Sequence, residues 1–594
     1  MPDQPGGRAA LSCPAAKSLR ERLRAMAADL VSTWKVSGVP ASARSATGLR
    51  GHAEPLVRRA GGGPDHVGWT MVTIGSVDWR DRIASVPQGR RLLLLPDCPA
   101  AEERRAGDDG PPHTSGPSCS IATLWAAARD SGWAVEPTAR AVAAIGSLVT
   151  GQYDGVLGVA RLGDLEKAFG MLPAFSLPVA AVPYEPAAAG NPADGGCAAA
   201  TAAAAIDVEW VLGLLGVAGP SVPVGDYLPL LREAASLFTP AALGELSSRL
   251  DLDSLFPANP AVPLPPLEAT AGVAGEFLTR GGKFLRPFIT LAAFDAVRAD
   301  RARLGVVAGP GVDRDALRSA AVAIEVFHKA SLVHDDIEDD DRMRYGRPTV
   351  HVERGVPAAI NVGDYLVGAG YRIIAALPGI PAPCGRDLVA ILADAHVRLA
   401  RGQGAERGWR DAADKRLSPA EALTIYGLKT SPAFEAAVRI GVRLAGPLDG
   451  DAGALDRYAL HVGTGFQILN DLKDWAGDLE NDRAAAGDLL GGRPTLMWAL
   501  ALERLSGVDL DRLSALGRQA ATAVPPGDVA AALAEARLLY ERADVFRRAA
   551  DIVEEERARA TAAAASCRLP RLREVLEFLL DLAVPENAAA SFRG

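Results

Sequence analysis

Lysine is almost missing from this chain: eight residues against 55 arginines in a length of 594. Basic residues as a whole are outnumbered 63 to 72, for a net charge of −9. That balance excludes a nucleic-acid binder built on phosphate neutralisation, which needs a clustered excess of cations. Cysteine is sparse too, at positions 13, 98, 119, 197, 384 and 567, and does not suggest a disulfide framework in so long a chain. No apolar run approaches the roughly 20 residues of a spanning helix; the Ala-rich segment 197–206 is too short and too weakly apolar. The first residues lack a basic segment followed by an apolar core, so no secretory signal is expected, and a cytoplasmic protein is the expectation. No repeat of solenoid period is evident. Against this background every retained lysine is informative.

What is present points to more than one domain, since 594 residues exceed what a single hydrophobic core organises. Residues 1–66 read as a helical and flexible N-terminal segment, with one amphipathic helix over 18–34 and a Gly61-Gly62-Gly63-Pro64 stop. Over 67–217 short apolar runs alternate with helical stretches: strands at 92–95, 156–159 and 179–182, and helices at 121–129 and 162–169. Such alternation predicts an α/β domain with a parallel sheet. Residues 218–265 form a Pro-rich linker around a first helix. From 266 to 594 the spacing is helical throughout, as in Ala320, Ile324, Phe327 and Ser331, which predicts an all-α bundle and a chain that is mainly α.

The chemistry centres on His334-Asp335-Asp336-Ile337-Glu338-Asp339-Asp340-Asp341. Asp335 and Asp339 stand at i, i+4 and share a helix face. Carboxylates so close repel unless a cation lies between them, and Mg²⁺, which favours hard oxygen ligands and phosphate, suits the site. A lone D-D-x-x-D string also describes an ordinary solvated helix end. A second oxygen-rich stretch follows, Gly463-Thr464-Gly465-Phe466-Gln467-Ile468-Leu469-Asn470-Asp471-Leu472-Lys473-Asp474. A helix there gathers Gln467, Asn470, Asp471 and Asp474 on one side and turns Phe466 and Leu469 to the packing side. Opposed, the two faces make a cage for Mg²⁺ and a diphosphate, whose developing charge on departure the ions neutralise. Lys283 and Arg286, three apart in Gly281-Gly282-Lys283-Phe284-Leu285-Arg286-Pro287, suit a second diphosphate. Arg344, Arg347 and Lys429-Thr430 add to the set.

In order, these motifs (281–287, 328–339, 344–349, 363–366, 429–430 and 466–474) resemble the polyprenyl synthetase family, the trans-isoprenyl diphosphate synthases. The resemblance covers over half the chain. It implies antiparallel helices around a deep cavity, usually a homodimer, and an Mg²⁺-dependent prenyltransferase using three ions per active site. Its substrates would be an allylic prenyl diphosphate and isopentenyl diphosphate. Position by position, Asp335, Asp336 and Asp339, with Asn470 and Asp474 opposite, would hold metal on the allylic diphosphate, and Arg344, Lys429 and Arg483 would bind that diphosphate. Lys283, Arg286 and His328 would bind isopentenyl diphosphate. Thr430 and Gln467 would line the allylic cation, with Asp471 in the same motif. Ser331 and Ala330, four and five before the first Asp, occupy the tunnel-floor positions. Both are small, so products of C20 or longer are expected.

The pattern departs from the family at Tyr345, where a second Arg is usual, at Asn470, where Asp is usual, and at Asp482-Arg483 and Gly492-Arg493, where Gly-Lys is usual. Asn470, Asp474 and Asp478 at i, i+4, i+8 leave open a class I terpene cyclase. A non-catalytic regulatory subunit of a prenyl synthase is the other alternative. Separately, residues 92–98, 158–160, 162–168, 182–183 and 196–197 resemble the DUF116 family, whose members carry Cys-x-x-Cys pairs suited to a metal or iron–sulfur site. Only Cys98, Cys119 and Cys197 stand here, a poor four-ligand set. Buried structural cysteines are the expectation, and no activity is assigned to this half.

Overall fold

The computed structural model describes residues 12–37, 41–44, 46–96, 120–138, 146–148, 150–165, 178–184, 206–215, 227–252, 255–256, 265–303, 312–447, 450–475, 493–520, 526–586, 588–589 and 592. The chain divides into two compact units, Met1–Arg232 and Glu233–Gly594.

In the first unit, helices α1 (Lys17–Ser37), α2 (Ala46–Arg59) and α3 (Val67–Ala84) precede strand β1 (Arg91–Leu95). Helix α4 (Ser120–Asp130), strands β2 (Ala134–Pro137), β3 (Gly155–Arg161) and β4 (Val179–Tyr184), and helix α5 (Val208–Leu215) follow. The sheet runs β2-β1-β3-β4 and is parallel throughout. Leu92 and Leu94 pack with α1, α2 and α3, while Leu93 and Leu95 pack with α4 and α5 on the other face. A strand covered on both sides needs an unbroken apolar run, which is why four successive leucines serve. The expected strands are present, and β2 joins them. Helix 162–169 is described only as far as 165. The N-terminal segment holds α2 as well as α1. Helix α3, hidden to sequence reading, is buried nearly all round, so it carries no amphipathic period to detect. Cys98, Cys119 and Cys197 lie outside the described residues; Cys384 and Cys567 are buried thiols.

The segment expected to hold one helix contains α6 (Leu228–Ser236) and α7 (Pro240–Arg249), the latter capped by Thr239. The second unit continues through α8 (Ala269–Thr279), α9 (Leu285–Arg303) and α10 (Arg314–Glu338). Beyond a short hairpin come α11 (Val350–Arg354), α12 (Val356–Ala375), α13 (Ala382–Asp411), α14 (Pro419–Ala445) and α15 (Ala452–Asp474). The unit closes with α16 (Leu496–Arg504), α17 (Gly507–Ala520), α18 (Pro526–Arg542), α19 (Val545–Ala565) and α20 (Pro570–Ala583). Among the described residues the bundle is all-helical except for one antiparallel hairpin, β5 (Met343–Arg344) with β6 (Arg347–Pro348). Its turn residues Tyr345 and Gly346 both have positive φ, 53° and 71°, as a two-residue type I′ turn requires. Tyr is not a residue that advertises such a turn, so the hairpin is silent in the sequence.

Helix α14 sits at the centre, packed against α9, α10, α13, α15 and α16. It begins with a reciprocal capping box between Ser418 and Glu421. It meets α9 so closely that a Cβ on Gly441 would stand 2.4 Å from the carbonyl oxygen of Thr290. No helix among the described residues is long and apolar enough to cross a membrane.

Gly441→Ala should therefore separate α9 from α14 and destabilise the unit by about 1–3 kcal/mol, the usual cost of overpacking. A denaturant midpoint unchanged from wild type would show that the two backbones are not so closely apposed.

Candidate active site

Helix α10 starts on an Asp313 cap and ends in the acidic motif, with Asp339 as its C-cap and Asp340 turning the chain at positive φ. Each carboxylate meets a different cation. Asp335 accepts from the Gln403 amide and lies 3.8 Å from Lys429, which also bonds Glu406 at 2.8 Å. Asp336 is buried and paired with Arg344 of the hairpin, while its Oδ2 is enclosed without a hydrogen-bond partner. Asp339 is gripped by Arg410 at 2.9 Å and Arg493 at 2.8 Å. Burial pushes the Asp336 carboxyl up to about 6, the Arg344 bond working against it. Asp339 is also held above the ordinary carboxylate range, by burial first and with Arg493 opposing. Glu338 is raised by burial and by its neighbours Asp335 and Asp339. Burial works to lower the Lys429 ammonium, yet Glu406 and Asp335 carry it above the usual lysine value.

The two acidic helices meet through consecutive residues of α14. Lys429 faces Asp335, and the adjacent Thr430 donates to Gln467 Oε1 at 3.2 Å. Gln467 in turn donates to Asp471 Oδ1 at 3.0 Å, and Asp471 accepts from the Tyr426 hydroxyl. Tyr426 accepts the Leu496 amide N–H at 2.6 Å, tying α16 to the same network. Asn470 and Asp474 are half-buried on α15, whereas Asp471 is buried. Phe466 does not face the packing side: it is 39% exposed, while Leu469 is buried. The buried stripe runs through Val462, Gly465, Leu469 and Leu472; Phe466 instead shares its face with Asn470 and Lys473 at i, i+4, i+7. Asp478 and Arg483 lie outside the described residues. Among the described residues no three carboxylates, imidazoles or thiols stand ready to hold an ion between them, because arginine and lysine occupy the intervening space. The donor set nonetheless fits a hard divalent cation, and the partnerless Asp336 oxygen is unsatisfied as it stands.

A basic cluster flanks the acidic one. Lys283 is exposed, and Lys473 of α15, lowered by burial and by the proximity of Lys283, faces it. Arg286 has a buried Nε with no hydrogen-bond partner, as does Oε2 of the buried Glu325. Desolvation keeps His328 well below the ordinary imidazole value, helped by Arg286 and Lys329, so its ring is neutral. Burial lowers the Lys329 ammonium to about 8, Glu325 opposing and Arg344 and Arg286 reinforcing. Tyr345 is pushed up to about 12, mainly by burial. Lysine scarcity would have drawn notice to Lys329 and Lys473, each inside a motif already singled out. Gln403, Glu406 and Arg410 gave no such signal.

One face of α10, from Ile324 through Phe327, His328, Ser331 and His334 to Glu338, lines a cavity of about 280 Å³ closed by α12, α13 and α14. Ser331 contributes to its wall; Ala330 is fully buried elsewhere. One turn beyond Ser331, the Phe327 ring packs edge-on against Tyr371 and His396, with centroids at 4.9 and 5.4 Å. The motif at 363–366 buttresses the wall, Asp364 lying 3.5 Å from His334 and Tyr365 donating to the Leu255 carbonyl at 2.7 Å.

Residues 268–533 match the family model for polyprenyl synthetases. A short chain isoprenyl diphosphate synthase of Methanothermobacter thermautotrophicus is 34% identical over 239 residues, 40% of this chain and 68% of that protein. The geranylgeranyl diphosphate synthase of Sulfolobus acidocaldarius is 32% identical over 230 residues, 38% of this chain and 65% of its own length. The nonaprenyl diphosphate synthase of Mycobacterium tuberculosis is 33% identical over 282 residues, 47% and 76% respectively. The chain thus spans about two thirds of the two archaeal relatives. A polyprenyl synthetase structure from Streptomyces coelicolor A3(2) superposes with a TM-score of 0.48 at 25% identity, covering 60% of this chain and 100% of that one.

Because Tyr426 joins Asp471 to the start of α16, Tyr426→Phe should cost about 1–3 kcal/mol, the penalty for withdrawing a buried hydrogen-bond partner. Equilibrium unfolding reads the loss; a stability equal to wild type would mean the hydroxyl bridges nothing.

Proposed function

The chain belongs to the polyprenyl synthetase family of trans-isoprenyl diphosphate synthases, and we propose that it condenses isopentenyl diphosphate with an allylic prenyl diphosphate in an Mg²⁺-dependent reaction giving products of C20 or longer. The observation that carries this reading is the Lys429-Thr430 pair, which reaches Asp335 with one residue and Gln467 with the next. Asp335, Asp336 and Asp339 on one side and Asn470 and Asp474 on the other would hold Mg²⁺, releasing Lys429, Arg410 and Arg493 toward the allylic diphosphate. Bound there, the metal would supply neutralisation of the charge that gathers on the departing diphosphate.

The residues of the chain do the rest. Arg344 and Lys429, with Arg483, grip the allylic diphosphate, whose C–O bond breaks with the electron pair leaving on oxygen. Thr430 and Gln467 present oxygen dipoles to the resulting allylic cation. Lys283, Arg286 and neutral His328 orient isopentenyl diphosphate so that its double bond attacks that carbon. The proton lost in forming the new double bond passes to the released diphosphate. The lengthening tail runs down the face of α10 past Ser331 toward Phe327. A homodimer is part of this reading, supported by the exposed apolar side chains Val352, Val356 and Ile360 on α11 and α12.

Purified protein given Mg²⁺, farnesyl diphosphate and labelled isopentenyl diphosphate should incorporate label into products of C20 or longer. A cyclic hydrocarbon made without isopentenyl diphosphate would instead establish a cyclase, and inertness toward both would leave a regulatory subunit. Asp335→Asn should lower kcat by about 10²–10³, the scale of losing one preorganised electrostatic contact. Lys283→Ala should weaken isopentenyl diphosphate selectively. Phe327→Ala should shift products to longer chains by at least one isoprene unit; an unchanged distribution would remove Phe327 as the floor.

A further inference from the structure

We infer that Lys329 is a positioning residue for the second diphosphate, holding the Gly281-Gly282 turn so that Lys283 and Arg286 are presented to it together. The inference rests on the synthase reading above. Lys329 lies on α10 and is 0% exposed, an unusual place for an ammonium. Its Nζ donates to the carbonyl of Gly281 and sits 4.1 Å from the Tyr345 ring centroid and 5.3 Å from that of Phe277. Gly281 and Gly282 have φ of 122° and 130°, and a Cβ on Gly282 would lie 3.4 Å from Lys329 Nζ and 3.6 Å from the Tyr345 hydroxyl. The turn that carries Lys283 therefore rests directly on the Lys329–Tyr345 pair. Open backbone of this kind keeps one shape only if something holds it, and the ammonium–carbonyl bond does so from below.

Charge explains why the holder is a cation. Arg286 and Lys329 face the neutral His328 and one carboxylate, Glu325, whose Oε2 stays unpartnered alongside Arg286 Nε, while the neighbouring Arg344 is matched by Asp336. Glu325 and Lys329 are i, i+4 on one helix, yet Glu325 does not satisfy Arg286. A buried excess of positive charge is costly alone and favourable once a polyanion arrives. The cluster is thus a preformed seat for a diphosphate. Lys329 reinforces its field from beneath the turn, while Lys283 closes it at the rim.

The test compares wild type, Lys329→Met and Lys329→Arg in steady-state assays with each substrate varied, together with calorimetric titration of isopentenyl diphosphate. Lys329→Met should raise KM and Kd for isopentenyl diphosphate about tenfold, the scale of one lost charge-assisted hydrogen bond, leaving kcat and the farnesyl diphosphate KM within about twofold. Lys329→Arg should recover much of the loss. Unchanged affinity for isopentenyl diphosphate, or an equal loss for both substrates, overturns the inference. Should Lys329→Met not fold, Tyr345→Leu withdraws the ring from under the ammonium, and the same selective KM rise supports the inference where its absence overturns it. If wild type binds isopentenyl diphosphate without turning it over, the synthase reading fails while the titration still judges Lys329.

Discussion

The arrangement depends on how crowded carboxylates at one helix end are kept from repelling each other. Unit charges 4 Å apart interact by about 4 kcal/mol near a protein surface and about 1 kcal/mol in bulk water, so partial burial makes the sign of each neighbour decisive. Cations arrive from the hairpin, α13, α14 and the segment leading into α16. Each is drawn to the acidic end of α10, and together they bring the surrounding helices to a common point. The neutralisation is incomplete. Asp339, with two guanidinium partners, still has its carboxyl held above the ordinary range, because desolvation outweighs them. A site whose carboxylates remain short of positive charge after pairing is one that a divalent cation can enter at a gain.

The same balance bears on the departure from the family pattern at Tyr345. Tyr345 brings no charge, but its ring face lies under Lys329, so a cation remains at that spot from a different element. The type I′ turn lets this happen: positive φ at Tyr345 turns its side chain toward α10 and sets Arg344 on Asp336. Charge at a site is a property of the whole cluster, and a motif read letter by letter counts only one contributor at a time.

That is also the limit of what the sequence made legible. Spacing alone put Asp335 and Asp339 on one helix and gave the parallel sheet its buried strands, because both follow from local periodicity. The ordered motifs fixed the bundle. What stayed hidden is what periodicity does not encode. Helix α3 is apolar all round, the hairpin turns on Tyr-Gly, and Phe466 sits one position off the buried stripe of α15. The cation on each carboxylate was invisible because Arg410 and Gln403 come from a helix some 70 residues away in sequence.

Helix α10 finally links the parts that chemistry must keep in register. Glu325, His328 and Lys329 face the basic cluster, Phe327 and Ser331 the cavity, and Asp335, Asp336 and Asp339 the cations. A helix rises 1.5 Å per residue, so Phe327 lies roughly 12 Å along the axis from Asp335 and Ser331 roughly half of that. These separations cannot drift as a loop's would, since the helix is capped at Asp313 and packed along its length against α9, α12 and α14. On the proposed reading, floor, second diphosphate and leaving diphosphate would be spaced by one rigid rod. The length of tail that fits above Phe327 would then be set by helix geometry, and a side chain exchanged on that face would move the floor by whole turns of about 5.4 Å.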